Sequence, residues 1–349
     1  MTTPETLQPP ADLAALREVS ARIGADPLLI QGPGGNTSVK QGDVMWIKAS
    51  GTLLSEAAVK DIFVEVDLPP LNAAIARGDP KADQPAEFAR VPGGLRPSIE
   101  TSLHSIFPHR VVLHVHCVNT IALAIRRDAR ERLAERLQRF DWAFVPYAKP
   151  GARLAAATRA ARKPTTDVIV LGNHGLIVAG ETVAAAAALL EAVVSALSAP
   201  PAEGTAPDMA ALSAAAGESF APAPTDHPLH AAALSPARLA AATGGSLYPD
   251  HVIFCGVGAT ALKAGESADA LAARLKARGL AAPPFLLVPG AGALLRKDAT
   301  AGAQALFRCL GDVLARVPED APLNYLTDAE NRELIDWDAE KYRQALNAR

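Results

Sequence analysis

The stretch 111-VVLHVHCV-118 is apolar enough to form a buried strand, yet it carries two histidines separated by a single valine. Side chains on a strand alternate between its two faces, so His114 and His116 are expected on the same side. Two imidazoles at that spacing can share one metal ion, because zinc favours neutral histidine nitrogen as a ligand. For two such histidines alone, hydrogen bonding on a half-exposed strand face is the more ordinary interpretation.

The segments around this strand predict a domain of mixed helices and strands. Apolar residues at helical spacing indicate helices over residues 11–24 and 183–197. Residues 167–180 contain two apolar runs on either side of Gly-Asn-His-Gly, which is typical of two strands joined by a tight hairpin. A capped amphipathic helix is expected to begin near Ser98 and to lead directly into the strand at 111–118.

The composition of the chain changes in its second half. At 349 residues the chain is long enough for two domains of roughly 150 residues each. Residues 201–225, rich in proline, alanine, glycine and serine, are predicted to link a first domain (1–200) to a small second α/β domain (226–349). The elements expected in the second domain are a strand at 251–258, a helix at 268–278, a strand within 285–297 and a helix at 300–316.

The charge and the cysteines restrict the partners and the compartment of the protein. A net charge of -3 provides no positive field for a phosphate backbone, so no nucleic-acid partner is expected. No apolar run approaches the roughly 20 residues that cross a bilayer, and the amino-terminal residues do not resemble a signal peptide. The three cysteines are far apart in sequence and lie in apolar surroundings, as reduced core thiols of a cytoplasmic protein do.

Two further residues can complete a metal site around the histidine pair. His174 lies in the turn between two predicted strands, and a third imidazole would leave one coordination position open for substrate or water. Glu100 lies at the start of the helix that leads into the strand, where its carboxylate could be a fourth ligand or a general base. A glutamate at the start of a helix also simply favours the helix dipole, and its position alone does not separate these roles.

Two glycine-rich segments suggest anion binding without establishing it. Residues 31–38 contain many residues typical of turns. The backbone N–H groups of 32-GPGGN-36 could surround an anion, or the segment could be an ordinary turn. No Gly-Lys-Ser/Thr follows, so the segment is not a P-loop. Similarly, 256-GVG-258 lacks the third glycine and the later acidic residue of a dinucleotide-binding loop.

Taken together, these segments resemble the class II aldolase/adducin family, whose metal-dependent members include fuculose- and rhamnulose-phosphate aldolases. The matching residues occur in the family's order and span roughly residues 12 to 197. They are 35-GNTS-38, 50-SG-51, 97-PSIE-100 with His104 one turn later, 114-HVH-116, 146-PYA-148 and 172-GNHGLI-177.

The resemblance implies a fold, a site and an assembly. The expected fold is a three-layer α/β/α domain around a mostly antiparallel sheet, assembled as a homo-oligomer such as a tetramer. His114, His116 and His174 would bind a divalent metal, most simply Zn2+, and Glu100 would be the catalytic acid/base. The residues implied to line the phosphate site of a small sugar-phosphate substrate are Gly35, Asn36, Ser50, Gly51 and Ser98.

The implied reaction is a metal-dependent aldol cleavage or formation in a ketose phosphate or a related hydroxy-carbonyl sugar. A cation held by three neutral imidazoles keeps its full charge to stabilise an enediolate. Glu100 would move a proton at the carbon that becomes nucleophilic, with its pKa set by burial and by the metal. Anchoring the phosphate would orient the reacting carbons.

The second half of the chain also has a likeness. The segments 246-SLYPDHVIF-254 and 285-FLLVPGAGALLRK-297 look like the region that follows the aldolase domain in bifunctional rhamnulose-phosphate aldolase/alcohol dehydrogenases. The sequence ends where their dehydrogenase domain would begin. No redox activity is therefore expected.

Three departures from the family pattern keep other functions open. Ile99 stands where phosphate-binding relatives often have a second serine, and Lys48 would either compensate or be an ordinary exposed strand-end lysine. Between Arg130 and Pro146 there is no tyrosine to act as the family's proton donor, and Tyr147 belongs to another motif. One alternative is a sugar-phosphate epimerase or sugar-acid decarboxylase with the same metal site. The other is a non-catalytic adducin-like scaffold, and the complete set of three histidines and Glu100 argues against this second alternative.

Overall fold

A seven-stranded sheet forms the centre of the first half of the molecule, for which the computed structural model describes residues 9–338 and Lys341. Its strands are β1 (Asn36–Gln41), β2 (Val44–Lys48), β3 (Phe63–Asp67), β4 (Val111–Val115), β5 (Trp142–Val145), β6 (Val168–Leu171) and β7 (Gly175–Gly180). They are ordered β3-β2-β1-β4-β7-β6-β5. Every neighbouring pair is antiparallel except β5 and β6, which run parallel.

Helices cover both faces of this sheet. They are α1 (Asp12–Gly24), α2 (Leu68–Arg77), α3 (Thr101–Ser105), α4 (Val118–Ala124), α5 (Ala129–Arg136), α6 (Ala152–Ala161) and α7 (Val183–Leu197). Because side chains of β4 alternate, Leu113 packs with Leu16 of α1 and Leu190 of α7, whereas Val112 packs with Leu103 of α3 on the opposite face. The mixed α/β fold with a mostly antiparallel central sheet is thereby confirmed.

The second half of the chain forms a smaller three-stranded sheet with its own helices. Strand β10 (Gly292–Arg296) lies between β8 (Phe220–Pro222) and β9 (Phe285–Val288) and is antiparallel to both. The elements are α8 (Met209–Ala215), β8 (Phe220–Pro222), α9 (His230–Leu234), α10 (Pro236–Thr243), a π-helical turn (His251–Cys255), α11 (Ala268–Lys276), β9 (Phe285–Val288), β10 (Gly292–Arg296), α12 (Ala301–Leu314) and α13 (Asp328–Ile335). No helix within the described ranges is both long and apolar enough to span a bilayer.

Helix α4 joins the two halves. The helix contributes Val118 and Ile121 to an apolar cluster that also contains Phe307 and Leu310 of α12. Ile125, the residue that follows the helix, is buried in the same cluster. About 25 cal/mol is gained for each Å² of apolar surface removed from water, so this shared cluster favours a fixed contact between the halves. The division of the chain into domains 1–200 and 226–349 stays a prediction.

Two segments of the second half differ from the sequence-based expectation. Residues 201–225 are not an irregular linker throughout, because they contain α8, capped by the Asp208 carboxylate, and β8, whose Phe220 is buried beside Leu212. Residues 251–255 form a π-helical turn and not a strand. A short apolar run such as 252-VIFC-255 fits a buried helix as well as a buried strand, so periodicity could not separate the two.

Candidate metal centre

His114 lies in the middle of the sheet, on β4 between β1 and β7, and is fully buried. Its Nδ1 lies 3.1 Å from the carbonyl oxygen of Leu176 on β7. A carbonyl only accepts hydrogen bonds, so Nδ1 carries the proton and Nε2 presents its lone pair. The hydrogen-bonded neighbouring strand thus fixes both the orientation and the tautomer of this imidazole.

His116 lies one residue beyond the end of β4, and its imidazole is held differently. Its Nδ1 lies 2.8 Å from Oδ2 of Asp250, which belongs to the second half of the chain. An ionised carboxylate also only accepts, so Nδ1 of His116 donates and Nε2 is the nitrogen that faces His114. It lies 3.2 Å from Nε2 of His114. Two ring nitrogens at this distance can share a proton or act as ligands of one cation.

His174 reaches the same point from the hairpin between β6 and β7. The hairpin is tight: Asn173 has a positive φ of 53°, and a Cβ added to Gly175 would lie 2.5 Å from the carbonyl oxygen of Val115. Only glycine can therefore follow His174 without moving β4. The His174 ring lies 5.0 Å from the ring of His114 and 5.2 Å from that of His116, measured between centroids.

Glu100 adds a carboxylate to the three imidazoles. It immediately precedes α3, and its Oε2 accepts a hydrogen bond of 2.7 Å from the Asn36 amide. Oε2 lies 3.3 Å from Nε2 of His114, and Oε1 lies 3.4 Å from Nε2 of His174. One ligand atom from each of the four residues lies within 4.8 Å of all the others, so this buried set could hold a metal ion.

Burial sets the charge state of these groups. It lowers the pKa of His114, and it lowers the pKa of His174 to about 3, so both rings are neutral at pH 7. Neutral imidazole is the form that binds a metal. Burial acts to raise the pKa of Glu100, but attraction between its carboxylate and any proton on the surrounding histidines, His114 first, lowers it overall, so that carboxyl loses its proton before the rings do. Neutral nitrogens around one carboxylate are a donor set that fits a divalent cation.

The five residues implied to bind phosphate line one small cavity that opens onto this cluster. They are Gly35, Asn36, Ser50, Gly51 and Ser98. The backbone N–H of Ser50 donates to the carbonyl of Arg96, and that of Ser98 donates to the carbonyl of Lys48, at 2.8 and 3.1 Å. These bonds place the two serines on adjacent extended segments. Their role in binding an anion stays a prediction.

The structure also shows where Lys48, Ile99 and Tyr147 lie, the positions at which the sequence raised doubts about the family pattern. Lys48 is buried, not exposed, and its ammonium donates to the carbonyl oxygens of Pro33 and Gly35 beneath the glycine turn. Ile99 lies on the cavity wall, where it contributes no hydroxyl. Tyr147 lies on the wall of a different cavity, and no tyrosine lines the metal cavity in the part of the chain that the structure describes.

Two features of the site were not expected from the sequence. Pro249 and Asp250 line the cavity from the second half of the chain. The Asn173 amide donates to the carbonyl oxygens of Leu247 and Asn324, at 2.9 and 2.7 Å. Proline followed by aspartate is also an ordinary turn signal, so nothing in the sequence alone connects these residues to histidines more than 70 positions away.

Known proteins similar to this chain match about half of it. The Bacillus subtilis (strain 168) protein YuxG, described as an uncharacterized oxidoreductase, is 29% identical over 178 residues, which are 46% of this chain and 25% of YuxG. The chain therefore spans about a quarter of the length of this curated relative.

Solved structures match over a similar extent. The N-terminal class II aldolase domain of a conserved Thermoplasma acidophilum protein is 26% identical, with a TM-score of 0.48, over 56% of this chain and 97% of that domain. A sugar-phosphate aldolase from Thermotoga maritima is 15% identical, with a TM-score of 0.42, over 53% of this chain and 91% of the enzyme.

A whole protein family also matches. The family described as the class II aldolase and adducin N-terminal domain matches residues 15–199, which are more than half of the chain and contain Glu100 and all three clustered histidines. The sequence motifs and this match agree in extent. The chain belongs to the class II aldolase and adducin family.

Proposed function

We propose that the protein is a metal-dependent lyase of the aldolase type, which cleaves or forms a carbon–carbon bond in a ketose phosphate or a related hydroxy-carbonyl sugar. The observation that carries the proposal is the buried set of His114, His116, His174 and Glu100, whose ligand atoms lie within 4.8 Å of one another. Such a set of imidazole nitrogens and a carboxylate is favourable around a divalent cation.

His114, His116 and His174 would hold the metal, and Zn2+ fits best because three neutral imidazole nitrogens are a ligand set typical of catalytic zinc. When bound, the cation supplies the positive charge that stabilises an oxygen anion developing during the reaction. Glu100, His116 and His174 line the same cavity, so a substrate there would contact both the metal and the carboxylate.

Glu100 would take and return the proton at the carbon next to the substrate carbonyl. The Asn36 amide holds one carboxylate oxygen, Oε2, while Oε1 has no hydrogen-bond partner among the described residues. An oriented carboxylate with one oxygen available to accept a proton is the geometry that a general base needs. Its burial removes competing water from the proton that is moved.

The substrate anion would be anchored at the glycine turn on the other side of the cavity. The Ser50 and Ser98 hydroxyls can donate hydrogen bonds there, and the Lys48 ammonium beneath the turn adds positive charge. Binding energy from a remote anion would hold the reacting carbons in place. A homo-oligomeric assembly and a cytoplasmic location remain part of this proposal.

The reaction is tested with metal-loaded protein, dihydroxyacetone phosphate and small aldehydes. Glu100→Gln should retain the metal and lose on the order of 10²- to 10⁴-fold in turnover, the usual contribution of a general acid–base. Glu191→Gln, which makes the same change in an exposed ion pair with Arg22, is the control and should be fully active. Turnover that survives in Glu100→Gln would show that another group moves the proton.

A second candidate reaction is epimerisation or decarboxylation of a sugar-acid phosphate at the same site. It is favoured by the cavity wall, which carries Ile99 and, over the described residues, no tyrosine to donate a proton to a leaving aldehyde. Metal-loaded protein that forms no carbon–carbon product, but changes the configuration of a sugar phosphate or releases CO2 from a sugar acid, would select this alternative.

A further inference from the structure

His116 needs support that the sheet does not provide. His114 is part of β4 and is held by ladder hydrogen bonds to the strands on both sides. His116 instead follows the last residue of β4 and precedes Cys117, the N-cap residue of α4. A side chain between two elements has more freedom to rotate. A ligand that rotates loses affinity for its metal, because its lone pair must point at the ion.

Asp250 supplies this support from the second half of the chain. Its carboxylate is only 3% exposed and accepts the hydrogen bond from Nδ1 of His116 at 2.8 Å. The contact fixes the ring and makes Nε2 the nitrogen that faces the cluster. The negatively charged carboxylate also raises the electron density of the His116 imidazole. The neutral Leu176 carbonyl, which accepts from His114, has a smaller effect on its ring.

The segment that carries Asp250 is itself fixed by buried groups. The Tyr248 ring is 2% exposed, its hydroxyl contacts Sγ of Cys309 in α12, and it packs beside the His251 ring at 5.5 Å. Nδ1 of the buried His251 accepts the backbone N–H of Leu247 at 3.2 Å. Asp250 is therefore held in place before any ligand arrives.

The same segment also contacts the loop of another histidine. The Asn173 amide donates to the Leu247 carbonyl, and Asn173 directly precedes His174. Asn324 completes this contact by donating to Oδ1 of Asn173 at 2.9 Å. Two of the three histidines are thus supported by residues outside the 15–199 range that matches the family.

We infer that Asp250 is a positioning residue of the metal centre: it holds His116 in the orientation and tautomer that bind the ion, so that the second half of the chain sets the metal affinity. The inference rests on the metal site of the proposed function, though not on the reaction that the site performs. It assigns to residues 247–250 a role in metal binding that does not require contact with the ion.

The test measures metal affinity in the full-length protein with Asp250→Asn and Asp250→Ala. Competition with a chromophoric chelator should show a 10- to 100-fold weaker affinity for Zn2+, the usual loss when the partner of a metal-bound histidine is removed. The visible absorption spectrum of the Co2+-loaded protein should change in band position or intensity, because the His116 ring is no longer oriented. Asp250→Ala should be affected more than Asp250→Asn, whose amide oxygen can still accept from Nδ1.

Asp312→Asn is the matched control. It removes a carboxylate of the same half of the chain, which pairs with Arg316 and contacts no histidine of the site. It should leave the affinity and the Co2+ spectrum unchanged, and circular dichroism and thermal unfolding of the metal-free proteins should show that all variants are folded.

A double-mutant comparison separates positioning from a general structural effect. In a His116→Ala background, the change Asp250→Ala should alter the residual Zn2+ affinity less than twofold, since the residue that Asp250 supports is gone. An equal loss in both backgrounds would overturn the inference, as would wild-type affinity and an unchanged Co2+ spectrum in Asp250→Ala. Wild-type protein that binds no divalent metal would overturn the proposed function as well.

Discussion

His114 and His116 are two residues apart, but they are held in place by different parts of the molecule. His114 is fixed by β7 of the central sheet, through the Leu176 carbonyl, and His116 by Asp250, 134 residues further along the chain. One contact follows directly from strand pairing, whereas the other depends on how the two halves pack. Two neighbouring histidines of the proposed metal site therefore have very different structural requirements.

The largest expected effect tests whether the two histidines nevertheless contribute equally. His114→Ala and His116→Ala should each lower the affinity for Zn2+ by more than about 100-fold, since each removes one of three nitrogen ligands. Elemental analysis of the purified variants should find little zinc in either. His109→Ala, a half-buried histidine outside the cluster, should retain the wild-type content. Stoichiometric zinc in a variant that carries both His114→Ala and His116→Ala would rule out this site.

Asn173 provides a smaller effect, on the contact between the halves. Asn173→Ala should lower the free energy of unfolding by about 2–4 kcal/mol. The change removes the hydrogen bonds of the Asn173 amide, which contribute about 1 kcal/mol each. It also places alanine, which has a Cβ and no polar side chain, at a positive φ of 53°. Asn173→Gly should cost about 1 kcal/mol less, since glycine accepts this φ. Urea unfolding measures both, and equal losses would show that the backbone conformation contributes nothing.

The smallest effect concerns the pH dependence of stability in the segment next to Asp250. Burial lowers the pKa of His251 from 6.5 to about 4. Between these values the unfolded chain binds a proton that the folded chain does not. The contribution of His251 to the free energy of unfolding should therefore fall as pH decreases from 6.5 to 4, by up to about 1.4 kcal/mol per pH unit, and should not vary above that window.

His251→Asn isolates this contribution, because the asparagine oxygen can take the place of Nδ1 and still accept the N–H of Leu247. Urea unfolding of metal-free protein at several pH values should give a slope that is smaller by about one proton for the variant. Measurements at pH 8 are the internal control, since there His251 is neutral in both states. An unchanged slope at pH 5 would show that His251 is protonated in the folded protein.

The features that the sequence predicted correctly are local. The apolar run at 111–118 contains the core strand β4, which ends at Val115, before His116, and the run at 167–180 contains β6 and β7. The hairpin between β6 and β7 brings His174 to the histidine pair as expected. The range that matches the family, residues 15–199, includes both segments. Alternation along a strand and the reach of a tight hairpin are short-range constraints, so a single sequence is enough to reveal them.

What the sequence did not reveal depends on packing. The sequence of residues 31–38 indicates a turn, whereas β1 already begins at Asn36. Glycine and asparagine next to a strand give the same sequence pattern as those in a loop. The helix expected from Ser98 begins at Thr101, after a turn in which the Ser98 hydroxyl accepts the N–H of Glu100. The pairing of Asp250 with His116 is a tertiary contact, and no periodicity in the sequence encodes it.

The contacts made by Asp250 and Asn173 also affect the order in which the protein is assembled. The hydrogen bonds from His116 to Asp250 and from Asn173 to Asn324 close loops of 134 and 151 residues. Closing loops of this length costs conformational entropy before any contact energy is returned, and contacts of high sequence separation slow folding. A chain still emerging from the ribosome can pair the sheet strands that carry His114, but it acquires a fully oriented metal centre only after residue 324 has been made and has docked.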